Sequence, residues 1–214
     1  MKDQATELVF VLDKSGSMSG LESDTIGGFN AMLLKQDKIS GQCRITTVLF
    51  DHNYELLHDR IDISAVDPIS KKDYQVGGTT ALLDALGQTI LKISKVEEHT
   101  ERKQQPSKVM VVIITDGQEN SSREFSIQTV KEMIQRKKTA GWEFIFLGAN
   151  MDAVETASSY GIDPDKTSDY VADKTGTDLN YRVMSEAVTS FRTTGQVKKQ
   201  VFDPIREDKQ KRGK

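Results

Sequence analysis

Leu8-Val9-Phe10-Val11-Leu12-Asp13-Lys14-Ser15-Gly16-Ser17-Met18-Ser19-Gly20 is the stretch that decides the fold class. Its five leading residues form a short, unbroken apolar run of the kind that makes a strand buried on both faces. The run stops at Asp13 and gives way to small hydroxyl and glycine residues, so strand and turn adjoin directly. The same form returns at Val109-Met110-Val111-Val112-Ile113-Ile114, the strongest strand in the chain, which also leads into an aspartate, Asp116. Phe144-Ile145-Phe146-Leu147 makes a third central strand closed by Gly148, and Ser168-Asp169-Tyr170-Val171 a shorter one at a sheet edge.

Helical patterns separate these runs. Apolar stripes occur at Ile26, Phe29, Leu33 and Leu34; at Leu82, Leu86, Ile90 and Ile93; at Ile127, Val130 and Ile134; and at Leu179, Val183, Ala187 and Phe191. A weaker helix spans about 152–160 and is ended by Gly161. Between Gly41 and Ile63 the pattern changes. Segments 44–50 and 54–63 are strand-like and are split by Asp51-His52-Asn53, a hairpin turn. Strands alternating with helices imply an α/β fold: a doubly wound, mostly parallel central sheet with one antiparallel edge strand and helices on both faces. Segment 97–107 is polar, contains Pro106 and is expected to be an exposed loop. One domain is expected over 1–195, followed by a charged, flexible tail over 196–214.

With 214 residues, 36% hydrophobic and 29% charged, the chain is long and apolar enough for one complete core and is not a disordered polymer. A net charge of −3 gives no reason to expect nucleic acid as the default partner, and the basic residues concentrated over 198–214 read as a solvated tail. Cys43 is the only cysteine, which excludes an intrachain disulfide and a thiolate cluster and leaves a buried structural thiol. The first seven residues lack the apolar run of a signal peptide, and no segment approaches the roughly eighteen apolar residues of a membrane span. A cytoplasmic protein with no membrane contact is the simplest expectation. His52, His58 and His99 have no spacing that makes a zinc site and are ordinary surface or packing residues.

In an open parallel sheet, ligands bind in the crevice beyond the carboxyl ends of the strands. Asp13 and Asp116 both fall there. Ser15 and Ser17 follow the first, Gly77-Gly78-Thr79-Thr80 precedes a helix, and Gly117 follows the second. Two acids and several hydroxyls thus meet at one edge, an oxygen-only set that suits a hard cation, Mg²⁺ above all, or Mn²⁺.

Asp-x-Ser-x-Ser after the first strand, Gly-Gly-Thr before a helix, and Asp-Gly after a long apolar strand together resemble the metal-ion-dependent adhesion site of the von Willebrand factor A family. The resemblance covers roughly Leu8 to Gly161. It implies the fold already read from the pattern. It also implies a metal site of Asp13, Ser15, Ser17, Thr79 and Asp116, the hydroxyls of Ser15, Ser17 and Thr79 binding directly and the aspartates acting through water or by holding the hydroxyls. Thr80 competes with Thr79, which is preferred because it directly follows the glycine pair. Three neutral hydroxyls fill half of the roughly six positions Mg²⁺ wants and leave it electrophilic, so an Asp or Glu of a protein partner completes the shell. The function implied is metal-dependent protein binding rather than catalysis. A stand-alone domain of this kind is most similar to the bacterial intracellular members.

Each motif also has a purely structural explanation. Ser15 or Ser17 could cap a helix starting near Leu21, Thr79 or Thr80 one starting at Ala81, and Asp116-Gly117 could be an ordinary turn. Lys14 is expected to point away from the site, and Met18 and Ser19 are placed to contact a partner; Glu119 and Asn120 read as solvated loop residues, in preference to specificity contacts. The alternative function is a Mg²⁺-dependent phosphoryl-transfer or phosphatase-like enzyme using Asp13. That chemistry wants a second acid two residues on as general acid/base, where Ser15 stands. No phosphate-binding glycine loop and no serine–histidine or cysteine–histidine pairing is present.

Overall fold

The computed structural model describes residues 5–212. Among them six strands form one sheet: β1 (Thr6–Asp13), β2 (Cys43–Phe50), β3 (Tyr54–Asp62), β4 (Lys108–Thr115), β5 (Glu143–Ala149) and β6 (Thr167–Tyr170). Their order across the sheet is β3-β2-β1-β4-β5-β6, parallel throughout except for β3, which runs antiparallel to β2 at one edge. The expected doubly wound fold and its single antiparallel edge strand are present.

The unbroken apolar runs follow from burial on both faces. Leu8, Phe10 and Leu12, with Met110, Val112 and Ile114, pack beneath α1 (Glu22–Asp37), α5 (Lys174–Thr194) and α6 (Asp203–Arg212). Val9 and Val11, with Val109, Val111 and Ile113, face α2 (Leu82–Glu98), α3 (Ile127–Thr139) and α4 (Ala153–Ser159). Successive residues of a strand point to opposite faces, so such runs need a helical layer on each side. Cys43 is fully buried among the first group, and burial pushes its thiol up to about 12, the state of an inert packing residue. No helix among the described residues is long and apolar enough to cross a membrane.

Two stripe residues lie outside the core: Leu34 is 64% and Ile127 49% exposed. Leu34 stands about 100° further round the helix than Leu33 and leaves the buried face, while Ile127 sits at the very start of α3. The expected loop over 97–107 begins later, because α2 continues to Glu98. Glu97 is anchored there, its carboxylate accepting from Lys137 Nζ at 2.9 Å and from Trp142 Nε1 at 3.1 Å.

The expected flexible tail is corrected over 199–212. A 3-10 turn, Lys199–Phe202, leads into α6, and Phe202 and Ile205 are 0% and 1% exposed. Three apolar residues, Val201, Phe202 and Ile205, fall at the spacing of one helix face, enough to seat an otherwise charged segment against β6 and α5. Arg206 donates to the Thr167 carbonyl at 3.1 Å and Arg212 to Asp173 at 2.6 Å. The ends of the expected domain and tail, residues 1–4 and 213–214, lie outside the described residues.

Arg192 ties α5 to α1. Its guanidinium is buried and donates to the carbonyls of Gln36, of Ile39 (3.1 Å) and of Gly41 (3.2 Å), closing the carboxyl end of α1 with a cation where the helix dipole favours one.

Candidate metal centre

The strand order places a crevice at the carboxyl end of β1. The chain leaves β1 for β2 and β3 on one side, then returns to β4 on the other, so the loops after β1 and β4 diverge. Asp13 is the last residue of β1, and Asp116 is the first after β4.

Asp13 is 1% exposed and fully engaged. Its Oδ1 accepts the Ser15 N–H at 2.7 Å, and its Oδ2 accepts the Thr115 hydroxyl at 2.5 Å. The Tyr74 hydroxyl donates to the Asp13 main-chain carbonyl. This carboxylate therefore bends the chain after β1 so that the next side chains turn inward. Ser15 and Ser17 follow with their hydroxyl oxygens 3.0 Å apart. The glycine pair is laced against the same turn, Gly77 N–H donating to the Lys14 carbonyl at 2.9 Å and Gly16 N–H to the Gly78 carbonyl at 3.1 Å. Gly78 has φ +75°, and a β-carbon there would strike the His52 ring, so the close approach requires glycine.

Gly117 marks where the hydroxyls converge. A β-carbon on it would lie 2.7 Å from Thr80 Oγ1, 2.9 Å from Ser17 Oγ and 3.3 Å from Ser15 Oγ. The threonine brought to the cluster is thus Thr80, 3% exposed, and not Thr79. Thr79 is exposed and lines a neighbouring groove of about 530 Å³ with His52, Asn53, Gln88 and Arg123.

The structural explanations for these hydroxyls do not describe what is found. Ser15 makes no side-chain cap, the N-caps of α1 and α2 are Leu21 and Ala81, and neither helix start has a side-chain capping bond from its own N-cap residue. Asp116 is 3% exposed, and neither of its carboxylate oxygens has a donor in hydrogen-bonding geometry. The Ser17 hydroxyl is near enough to favour its ionised form, but desolvation dominates and raises its pKa. Burial likewise pushes Asp13 up to about 6, with the nearby Asp116 adding a smaller upward push.

Two adjacent carboxylates, one of them without a partner, and three hydroxyls around one glycine form a donor set that fits a hard cation. Among the described residues, no three His, Cys, Asp or Glu side chains converge to hold a metal, so the hydroxyls are essential to any such site. Ser15 is buried while Gly16 and Ser17 are exposed, which leaves one side of the cluster open to solvent.

The surrounding residues divide differently from expectation. Lys14 does point away, pairing with Glu55 at 2.6 Å. Met18 is 1% exposed and belongs to the core, which leaves Ser19 alone at the surface. His58 is a packing residue bonded to Thr47 Oγ1 at 3.0 Å. Glu119 and Asn120 are not merely solvated: both bond to the start of α2. Thr115 was invisible as a site residue in the sequence because its partner, Asp13, comes from a distant segment.

Comparison with known proteins bears on the fold. No curated protein sequence matches the chain. Among solved structures, a von Willebrand factor type A protein from Catenulispora acidiphila is 13% identical with a TM-score of 0.58 over 86% of this chain and 42% of its own. The proximal thread matrix protein 1 of the mussel byssus, in a structure whose MIDAS motif is occupied by zinc, is 13% identical with a TM-score of 0.60 over 86% of this chain and 46% of its own. This chain therefore spans less than half the length of either. The vWF domain of the type V pili tip protein Mfa5 from Porphyromonas gingivalis is 11% identical with a TM-score of 0.62, over 92% of this chain and 99% of that domain. At these identities the likeness concerns the fold. The model of the von Willebrand factor type A domain matches residues 7–183, most of the sequence, and the chain belongs to that family.

Proposed function

We propose that this chain is a metal-dependent protein-binding module. A divalent cation, Mg²⁺ or Mn²⁺, is held by the hydroxyls of Ser15, Ser17 and Thr80, with Asp13 and Asp116 behind them, and an Asp or Glu of a partner protein completes its shell. The observation that carries this reading is the convergence of three hydroxyls on Gly117 beside a buried carboxylate that lacks a donor. The zinc-occupied motif of the byssus protein supports a divalent ion as the kind of ligand such a motif takes. The all-oxygen donor set here favours Mg²⁺ or Mn²⁺ over zinc.

Binding is favoured over reaction by the state of Asp13. Both of its oxygens already accept hydrogen bonds and it is buried, an arrangement suited to holding the turn rather than to attacking phosphorus. The groove beside Thr79 adjoins the cluster and offers a polar surface for the partner segment that carries the acid.

Gly117→Ala tests the site directly. The added methyl would occupy the point where the hydroxyls meet, so Mn²⁺ affinity is expected to fall by about tenfold or more, as for other losses of metal-site geometry. The folded state is expected to persist, which circular dichroism checks. Wild-type Mn²⁺ affinity in this variant would place the cation elsewhere.

A further inference from the structure

We propose that the loop after β4, which caps α2, also clamps the backbone of Thr80 and thereby presents its hydroxyl to the cation. Asn120 and Glu119 are then positioning residues of the centre. The inference rests on the cation-binding reading above and names the device that sets its geometry.

The first N–H groups of a helix have no partner within it, and the N-cap side chain ordinarily supplies one. The N-cap of α2 is Ala81, which carries no such group, and Thr80 stands one residue before it. The Thr80 hydroxyl lies in the cluster around Gly117. The first-turn N–H groups of α2 are served by the loop after β4. Leu83 N–H donates to Glu119 Oε2 at 2.9 Å, and Asp84 N–H donates to Ser122 Oγ at 3.0 Å.

Thr80 is also held through its own backbone. Its N–H donates to Asn120 Oδ1 at 2.9 Å, and its carbonyl accepts the Asn120 N–H at 3.0 Å. One residue therefore grips both polar groups of Thr80 and fixes how its side chain is directed.

The gripping loop is itself rigid. Glu119 Oε1 accepts the N–H of Ser121 at 3.0 Å and of Ser122 at 2.8 Å, and Oε2 accepts the Ser122 hydroxyl at 2.7 Å. Asp84, in the first turn of α2, returns the bond by accepting the N–H groups of Arg123, Glu124 and Phe125 at 2.8, 2.9 and 2.9 Å. Loop and helix start cap each other. Asp116 and Thr80, far apart in sequence, are thereby carried on one interlocked unit, Asn120 lying only four positions after Asp116.

The test is a Mn²⁺ titration of the full chain, with thermal melts in chelator, for wild type, Asn120→Ala, Glu119→Ala, Thr80→Val and the double variant Asn120→Ala/Thr80→Val. Asn120→Ala and Glu119→Ala are each expected to weaken Mn²⁺ about tenfold, within the range for residues that orient metal ligands. Asn120→Ala is expected to add little once Thr80 is valine, since it acts through that residue. Glu119→Ala also removes the acceptor for Leu83, Ser121 and Ser122, so its melting temperature in chelator falls together with the affinity. A merely structural role would lower the melting temperature of both variants and leave the Mn²⁺ affinity of the folded protein intact, and that result overturns the inference. Full additivity of Asn120→Ala and Thr80→Val overturns it as well. A wild type that does not bind Mn²⁺ defeats the cation reading itself and this inference with it, an outcome distinct from binding that is insensitive to Asn120.

Discussion

Asp116→Asn is expected to act in opposite directions with and without a divalent cation. In chelator the variant should melt higher than wild type. Asp116 carries its charge into a site where it is 3% exposed and has no hydrogen-bond donor, and a carboxylate left so costs about 1–3 kcal/mol. The neutral amide removes the charge while keeping the shape. Part of that gain is lost to the amide's own burial, so a net stabilisation on the order of 1 kcal/mol is expected, or roughly 2–4 °C for a chain of this size. With Mn²⁺ the order reverses. A ligand at a hundred times its Kd stabilises the state that binds it by about 2.7 kcal/mol. Wild type should gain that stabilisation and the variant little or none of it. Paired thermal melts with and without Mn²⁺ check both halves. A variant that melts below wild type in chelator would mean that Asp116 already has a stabilising partner.

Phe202→Ala is expected to cost about 3–5 kcal/mol, the range for removing a buried phenyl ring. Phe202 is 0% exposed within the core beneath α1, α5 and α6, and the Arg206 guanidinium lies 5.9 Å from its ring centre. For a protein with a total stability of about 5–15 kcal/mol this is a large fraction, lowering the melting temperature by roughly 10 °C. The same substitution in a frayed tail would change stability by less than about 0.5 kcal/mol, as for ordinary surface positions. A thermal or urea melt of the single variant separates the two outcomes.

The strands, and the gathering of Asp13, Ser15, Ser17 and Asp116 at one sheet edge, were legible in the sequence for a common reason. Each aspartate lies at the end of an apolar run, and where a buried strand ends in a doubly wound sheet determines which edge its next residues occupy. Thr79 and Thr80 could not be separated that way. They are adjacent, identical and follow the same glycines, and what distinguishes them is the clamp on the Thr80 backbone from Asn120, a residue 40 positions away. The helix α6 was hidden for a related reason. Its own composition is polar, and its order comes from Phe202, Ile205 and Arg206 meeting surfaces built by β6 and α5. Local pattern carries elements that bury a long apolar run. It does not carry those held by a few contacts across the chain.

The most direct test of a cation held on the hydroxyl cluster is a calorimetric titration of Mn²⁺ into wild type, Thr80→Val and Thr79→Val. Thr80 Oγ1 lies at the cluster and Thr79 is exposed beside it, so valine at 80 is expected to weaken Mn²⁺ by about tenfold or more, while valine at 79 changes it by less than about twofold. Equal affinity in wild type and Thr80→Val, or loss confined to Thr79→Val, would contradict the assignment.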